Sequence, residues 1–207
     1  MAIAWRNTYE RYGVIAKGLH WVVALLVSVQ FATAALMAGA CPGGGRGPGP
    51  GEGLLLGTHR SLGLLLLALT AVRALWRWAA GLPHWPPGLT PWERELSRRA
   101  DRALYGVLWL LPFSGLLQAL GEGAAVSFFG LWELSRLAGA EPALARVSVV
   151  GHRLAAWALV AAVTVHLGLV AKQQGVPRDG PVRGRVPTQK KGAPEGAPGA
   201  AGTDDPT

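Results

Sequence analysis

The feature that most constrains this chain is residues 147–171, VSVVGHRLAAWALVAAVTVHLGLVA, a long apolar stretch that carries two histidines. A helix needs about 20 apolar residues to cross a bilayer, and this stretch is long enough. His152 and His166 are fourteen positions apart, which corresponds to about 21 Å along a helix axis. Each residue of a helix turns by about 100°, so fourteen residues turn by about 40° less than four whole turns. The supercoil of a left-handed bundle tends to remove that angular difference. We therefore expect both imidazoles on one face, one near each side of the membrane.

Three further stretches, residues 19–40, 54–78 and 103–121, are also long and apolar enough to span a bilayer. Charged residues make up 15% of the chain, whereas a soluble domain usually has about 25%. The net charge is +8, but the basic residues lie at the ends of the apolar stretches and not along an amphipathic stripe. Membrane topology explains them better than a nucleic-acid partner does. The sequence predicts an all-α, integral membrane four-helix bundle in the lipid bilayer, with no nucleic acid.

The segments between the spans are rich in glycine, proline or charge. We predict that residues 41–53 form a flexible connector. Residues 79–102 are predicted to form a link that is first proline-rich and then charged. Residues 122–146 are predicted to form a link whose apolar piece, VSFFGLW, lies at the membrane interface. Cys41 is the single cysteine, which excludes an internal disulfide. The apolar run before it is longer than the roughly 7–15 residues of a signal peptide core, so we expect the first span to be retained.

The distribution of lysine and arginine predicts the orientation. With both termini in the cytoplasm, 15 of the 20 basic residues lie on the cytoplasmic side, and this bias sets topology. The chain then divides into a cytoplasmic segment (1–18), a four-helix transmembrane domain (19–173) and a disordered, basic cytoplasmic tail (174–207).

This orientation sorts the histidines of the spans by depth. His59 and His152 lie near the outer face, and His20 and His166 near the inner face. Ionisable side chains inside a span usually face the bundle interior and mark a functional site. Facing side chains in a bundle core build cofactor sites, and two imidazoles can fill both axial positions of a haem iron, which favours electron transfer over oxygen binding. We predict two stacked haem sites, each with a histidine pair as metal ligands.

Arginines near each pair are candidate partners for the negatively charged haem propionates. Arg60 and Arg153 directly follow the outer histidines, and Arg73 and Arg77 lie near the inner pair. Each of them could also serve only as an anchor at the membrane interface. His84 lies outside any span, and we interpret it as an ordinary loop residue.

The motifs around these residues resemble the bacterial cytochrome b561 family, which is related to the b-type cytochrome subunits of nickel–iron hydrogenases. They are AKGLHW, THRSLGLLLL, PHWPPGLTPW, LYGVLWLLPFSG, SFFGL, GHRL and VTVH, in this order, and the resemblance covers residues 12–172. It implies a multi-pass protein of the bacterial inner membrane with two bis-histidine b haems, one held by His59 and His152 and the other by His20 and His166. It also implies electron transfer to the quinone pool, from superoxide in one branch of the family.

The chain departs from this family at two positions. Members often carry a histidine near the start of the third span, where this chain has Asp101 or its neighbours. They often carry a His-His pair after the fourth span, where this chain has Gln173 and Gln174.

The leading hypothesis is a dihaem membrane cytochrome that carries electrons from a periplasmic donor, superoxide being one candidate, to quinone. Such a protein would be an oxidoreductase of the superoxide:quinone type. Two alternatives stay open: a membrane-anchor cytochrome subunit of a dehydrogenase or hydrogenase, with a redox partner subunit, and a proton or metal transporter that uses the same histidines. The sequence also leaves open whether the protein forms a homodimer.

Overall fold

The computed structural model describes residues 4–40, 50–85, 89–134 and 140–175. Within these residues the chain forms four long helices and one short β-hairpin, in the order α1 (Val14–Ala40), α2 (Pro50–Ala80), α3 (Pro91–Gly121), β1 (Val126–Phe128), β2 (Trp132–Leu134) and α4 (Pro142–Gly175). The four predicted spans correspond to the four helices. Residues 41–49 of the predicted connector 41–53, including Cys41, and residues 176–207 of the predicted tail 174–207 lie outside the described residues. Residues 50–53 were predicted to belong to the connector but form the first turn of α2, and residues 174–175 were predicted to belong to the tail but end α4.

Each helix contains a segment long and apolar enough to cross a membrane, namely Val14–Ala38, Gly53–Ala80, Pro91–Gly121 and Pro142–Gln173. Large apolar side chains on these helices point away from the protein, including Trp21, Trp78 and Trp157, which are more than 70% exposed. An apolar surface of this extent is unusual in a soluble monomer. It is the surface that a helix bundle presents to lipid.

Helix packing leaves gaps along one side of α4. The helix packs against α3, whereas α3 packs on α2 and α2 on α1. Gly121 allows the close approach of α3 to α4, because a Cβ atom there would lie 2.6 Å from the backbone nitrogen of Ala145. Among the described residues, no Cα atom of α4 comes within 8 Å of one in α1 or α2. Side chains, and any bound group, therefore fill the space between α4 and the first two helices.

Helix α3 begins earlier than the sequence prediction placed it. Thr90 caps its N-terminus by accepting a hydrogen bond from the backbone N–H of Glu93, whose carboxylate accepts one from the backbone N–H of Thr90 in return. Pro91 occupies the first turn, where its missing N–H has no cost. The charged residues 91–102, predicted to be part of a link, are therefore the first three turns of the helix.

The short hairpin lies in the link between α3 and α4, where the sequence predicted only an interfacial apolar piece. Val126 pairs with Leu134, and Phe128 with Trp132. The hairpin is fixed to α2 by Ser61, whose hydroxyl donates to the Ser127 carbonyl (3.0 Å) and accepts from the Phe129 backbone N–H (2.9 Å). These bonds hold the hairpin beside the start of α2.

A buried apolar layer crosses the middle of the bundle. All four helices contribute to it, with Val23, Leu66, Leu108, Leu111, Ala155 and Leu159. Leu159 lies halfway between the two histidines of α4. The layer therefore separates the two histidine sites described next.

Candidate cofactor sites

The structure brings the four histidines of the spans together as two pairs. His59 of α2 faces His152 of α4, with ring centres 6.3 Å apart and ring planes at 79°. His20 of α1 faces His166 of α4, again with ring centres 6.3 Å apart, and with ring planes at 51°. These are the couples that the depth argument predicted. Both pairs bridge the gaps beside α4.

The spacing of each pair suits one metal ion between two imidazoles. Imidazole nitrogens bind metal ions at about 2.0–2.1 Å, and the ring centre lies roughly 1.1 Å behind the nitrogen, so two rings on one ion are about 6.2 Å apart. Both observed distances are 6.3 Å. Direct stacking or a hydrogen bond between the rings would bring them closer.

Each pair lines a cavity. The wide cavity, of about 380 Å³, contains His59 and His152 and is bounded by side chains of all four helices and by Val126 of the hairpin. The narrow cavity, of about 240 Å³, contains His20 and His166 and is also lined by Tyr12 of the N-terminal segment. Known cofactor pockets have volumes of about 300–1,000 Å³. The wide cavity falls in this range and the narrow one below it.

A hydroxyl of α1 fixes the tautomer of His59. The hydroxyl of Thr33 lies 3.0 Å from His59 Nδ1 and donates its proton to the Gln30 carbonyl oxygen at 2.9 Å. Because the hydroxyl has only one proton, it accepts from Nδ1–H. The other ring nitrogen, Nε2, then carries a lone pair that can bind a metal.

His152 is held in the same tautomer from α3. Its Nδ1 lies 2.9 Å from the Leu111 carbonyl oxygen, which can only accept, and 3.2 Å from the Ser114 hydroxyl. Ser114 donates its own proton to the same carbonyl at 2.8 Å. His152 therefore donates from Nδ1 and keeps Nε2 free. Helix α3 contributes no histidine, but it orients this ring.

Two predicted arginines line the wide cavity, Arg60 and Arg153. Arg60 makes a 3.0 Å ion pair with Glu122 at the end of α3, and Gln118 donates to the same carboxylate at 2.9 Å. Arg153 has no carboxylate partner among the described residues. The Arg60–Glu122 ion pair was not predicted from the sequence.

The other two predicted arginines, Arg73 and Arg77, line the narrow cavity, and their guanidinium carbons lie 5.5 and 5.3 Å from the centre of the Tyr105 ring. Arg73 Nε donates to the Tyr105 hydroxyl at 3.1 Å, and Arg77 pairs with Asp101 at 3.2 Å. Partial burial, and secondly the Asp101 carboxylate, raise the pKa of Tyr12 above its ordinary value. Asp101 thus anchors a polar cluster beside the histidine pair.

The N-terminal segment is attached to the end of α2 and to the link that follows it. Asn7 donates to the Gly81 carbonyl at 2.7 Å and accepts from the Gly13 backbone N–H at 3.0 Å. The ring of Tyr9 stacks on His84 at 3.9 Å. His84, predicted to be an ordinary loop residue, lies outside both pairs and helps to hold this segment beside the narrow cavity.

Buried polar atoms without a protein partner mark both cavities. They are Gln30 Oε1 in the wide cavity and Trp76 Nε1 in the narrow one. Buried polar groups are normally hydrogen-bonded. The Trp76 Nε1–H can donate to an acceptor such as a propionate, whereas Gln30 Oε1 is itself an acceptor and needs a donor that a haem does not supply. Apolar walls, paired imidazoles and arginines are therefore the features of both cavities that suit a haem.

Sequence reasoning missed the residues that support the histidines. Thr33 and Ser114 are hydroxyls inside apolar spans, where polar groups need partners. Glu122 and Asp101 are carboxylates at opposite ends of the third span. Their residue types were visible signals, but the identity of each partner depends on how the helices pack.

Comparison with known proteins gives the family. Residues 11–184 match the family model described as prokaryotic cytochrome b561. Cytochrome b561 homolog 2 of Escherichia coli (strain K12) is 29% identical over 177 residues, which cover 86% of this chain and 92% of that protein. The matched region contains all four helices and both histidine pairs. This chain therefore belongs to the prokaryotic cytochrome b561 family and is a multi-pass membrane cytochrome of the b type, which implies a role in electron transfer.

Proposed function

We propose that the protein is a dihaem cytochrome. His59 and His152 would hold one haem b in the wide cavity, and His20 and His166 would hold the second in the narrow cavity. The observation that carries this proposal is the 6.3 Å separation of the ring centres in both pairs. A haem iron with two histidine ligands supplies one-electron transfer, because it has no open position for oxygen.

The cationic side chains of each cavity would meet the propionates. Arg60 and Arg77 are already paired with carboxylates, whereas Arg153 and Arg73 have no carboxylate partner among the described residues. Arg153 and Arg73 are therefore the better candidates for propionate contact. All four positive charges favour the less positive ferrous state and so raise the reduction potentials.

We further propose a direction for electron flow. The excess of basic residues at the predicted cytoplasmic ends and links supports an orientation with both termini in the cytoplasm. In that orientation the wide cavity would lie toward the periplasm, and the narrow cavity toward the cytoplasm, of a bacterial inner membrane. A periplasmic donor, with superoxide as the candidate, would deliver electrons at the wide cavity. The two sites are about 21 Å apart along α4, measured between the Cα atoms of His152 and His166.

Quinone is the proposed acceptor at the narrow cavity. Quinone carbonyl oxygens accept hydrogen bonds, and two exposed donors that line this cavity, Lys17 and Tyr12, would reach a quinone bound at its mouth, beside the proposed haem. The ion pair of Asp101 with Arg77 lies in the same cavity.

Haem quantification per polypeptide tests the proposal. The purified full chain should contain two haems and titrate as two redox components. His59→Ala and His152→Ala should each remove the same component, and His20→Ala and His166→Ala should each remove the other. His84→Ala is the matched control and should keep both. A single haem per chain, or a His152→Ala variant with both components intact, would contradict the proposal.

Two other hypotheses predict different results in the same preparation. A membrane-anchor subunit would have the same haems but would co-purify in mild detergent with a stoichiometric dehydrogenase or hydrogenase polypeptide. A proton or metal transporter would show no reduced-minus-oxidised haem spectrum. Family membership favours electron transfer over transport.

A further inference from the structure

The two histidine pairs differ in what holds their rings. Both rings of the wide cavity donate from Nδ1 to oxygen acceptors of neighbouring helices. In the part of the chain that the structure describes, no hydrogen bond reaches a ring nitrogen of His20 or His166. We propose that Thr33 and Ser114 are positioning residues that orient His59 and His152 and lower the reduction potential of the wide-cavity site. This inference rests on the proposed haem ligation.

Burial makes the two hydroxyls effective positioning groups. Thr33 is 8% exposed and Ser114 is 6% exposed, so water does not compete for their bonds with the imidazoles. Each hydroxyl also donates to the backbone of its own helix, to Gln30 or to Leu111. Because the hydroxyl proton points to that backbone carbonyl, the lone pairs of the hydroxyl oxygen remain to accept a hydrogen bond from the imidazole.

The chemical consequence follows from the ligand basicity. A hydrogen bond from the far ring nitrogen to an acceptor raises the electron donation of a metal-bound imidazole. Stronger donation stabilises the ferric state and lowers the reduction potential. Each cavity is lined by two arginines, one of them paired with a carboxylate. The hydrogen bonds to the ring nitrogens are therefore the difference, and the narrow-cavity site, which has none among the described residues, has the higher potential. Electrons would then pass downhill from the wide to the narrow cavity, the direction proposed above.

Substitutions at Thr33 separate hydrogen bonding from packing. Thr33→Val has nearly the same shape without the acceptor, and Thr33→Ser keeps the hydroxyl. Ser28→Ala is the matched control on the same helix, because among the described residues the Ser28 hydroxyl bonds only to the Ala24 carbonyl of its own helix. The measurements on the full-length holoprotein are haem per chain, a redox titration of both components and the ferric low-spin EPR signal, which reports the angle between ligand planes.

We expect Thr33→Val to keep two haems and to raise the potential of the wide-cavity component alone. A single hydrogen bond contributes about 0.5–1.5 kcal/mol. The ferrous-to-ferric ratio of the wide-cavity site, measured at a fixed potential, should therefore rise about twofold to tenfold. A tenfold rise corresponds to a shift of about 59 mV for one electron. The EPR signal of that component should change. Thr33→Ser and Ser28→Ala should match the unmodified protein.

Ser114→Ala provides a second test if Thr33→Val does not fold. Its shift should have the same sign but be smaller, because the Leu111 carbonyl still accepts from His152. Two haems with unchanged potentials and EPR signals in the variant that folds would overturn the proposal. Equal effects of Thr33→Val and Thr33→Ser would also overturn it, since packing alone would then explain them. Absence of the wide-cavity haem from the unmodified protein would instead refute the proposed ligation.

Discussion

Gly115 of α3 gives the most specific test of the wide cavity. It faces His152, and a Cβ atom placed there would lie 3.1 Å from Cε1 and 3.2 Å from Nδ1 of that ring. Ordinary contacts begin at about 3.4 Å, so Gly115→Ala forces the ring to move by about 0.3 Å or more. The ring cannot move freely, because Leu111 and Ser114 hold its Nδ1.

The size of the effect follows from these contacts. Overpacking of a buried site costs about 1–3 kcal/mol, which corresponds to haem binding weaker by about fivefold to 150-fold in the wide cavity. Replacing glycine by alanine within a helix gains up to about 1 kcal/mol. The fold should therefore keep its stability while the wide-cavity site binds its cofactor more weakly.

The assay compares Gly115→Ala with Gly106→Ala, a matched control on the same helix with no atom within 4 Å of the added Cβ. Haem transfer from each variant to an excess of apomyoglobin, followed optically, gives the loss rate of each redox component. The wide-cavity component should leave faster only in Gly115→Ala. Equal loss rates in both variants, with unchanged potentials, would refute the placement of His152 as a ligand beside Gly115.

Three further predictions concern the polar groups around the sites. Thr90→Ala should destabilise the start of α3 by about 1 kcal/mol, measured by thermal unfolding, and Thr90→Ser should not. Glu122→Gln leaves Arg60 without its carboxylate, so the wide-cavity potential should rise in a redox titration, but by no more than about 40 mV because the pair is partly exposed. The raised pKa of Tyr12 means that the fold binds its proton more tightly than the unfolded chain does. The contribution of Tyr12 to the free energy of unfolding should therefore be constant below the ordinary pKa of 10.0 and fall as the pH rises above it. Unfolding measured as a function of pH should show that Tyr12→Phe removes this contribution to the alkaline loss of stability.

The helices and the histidine couples could be predicted because they depend on one-dimensional patterns. Apolar length gives the four spans, and the alternating direction of successive spans gives each histidine a depth. The fourteen-residue spacing on α4 then decides that one helix serves both pairs. The arginines of each cavity follow from their positions beside these histidines.

The supporting contacts could not be predicted because they depend on how the helices are rotated and packed. Nothing in the sequence says that Thr33 faces His59 or that Glu122 reaches Arg60. The early start of α3 is different, since the segment T-P-W-E at 90–93 has a capping residue and its reciprocal acid at the required spacing. The interpretation of residues 79–102 as a link gave too much weight to their charge.

Helix α3 has no histidine, yet the geometry of both sites depends on it. Helix α4 carries one histidine of each pair, and α3 is the helix against which the described part of α4 packs. The close contact of Gly121 with Ala145 requires a residue without a Cβ atom and so allows the observed distance between the two helices. A shift of α4 on α3 would move His152 and His166 together and change both 6.3 Å spacings, whereas a shift of α1 or α2 would change only one. The α3–α4 contact therefore couples the two sites mechanically, while the apolar layer at Leu159 keeps them chemically apart.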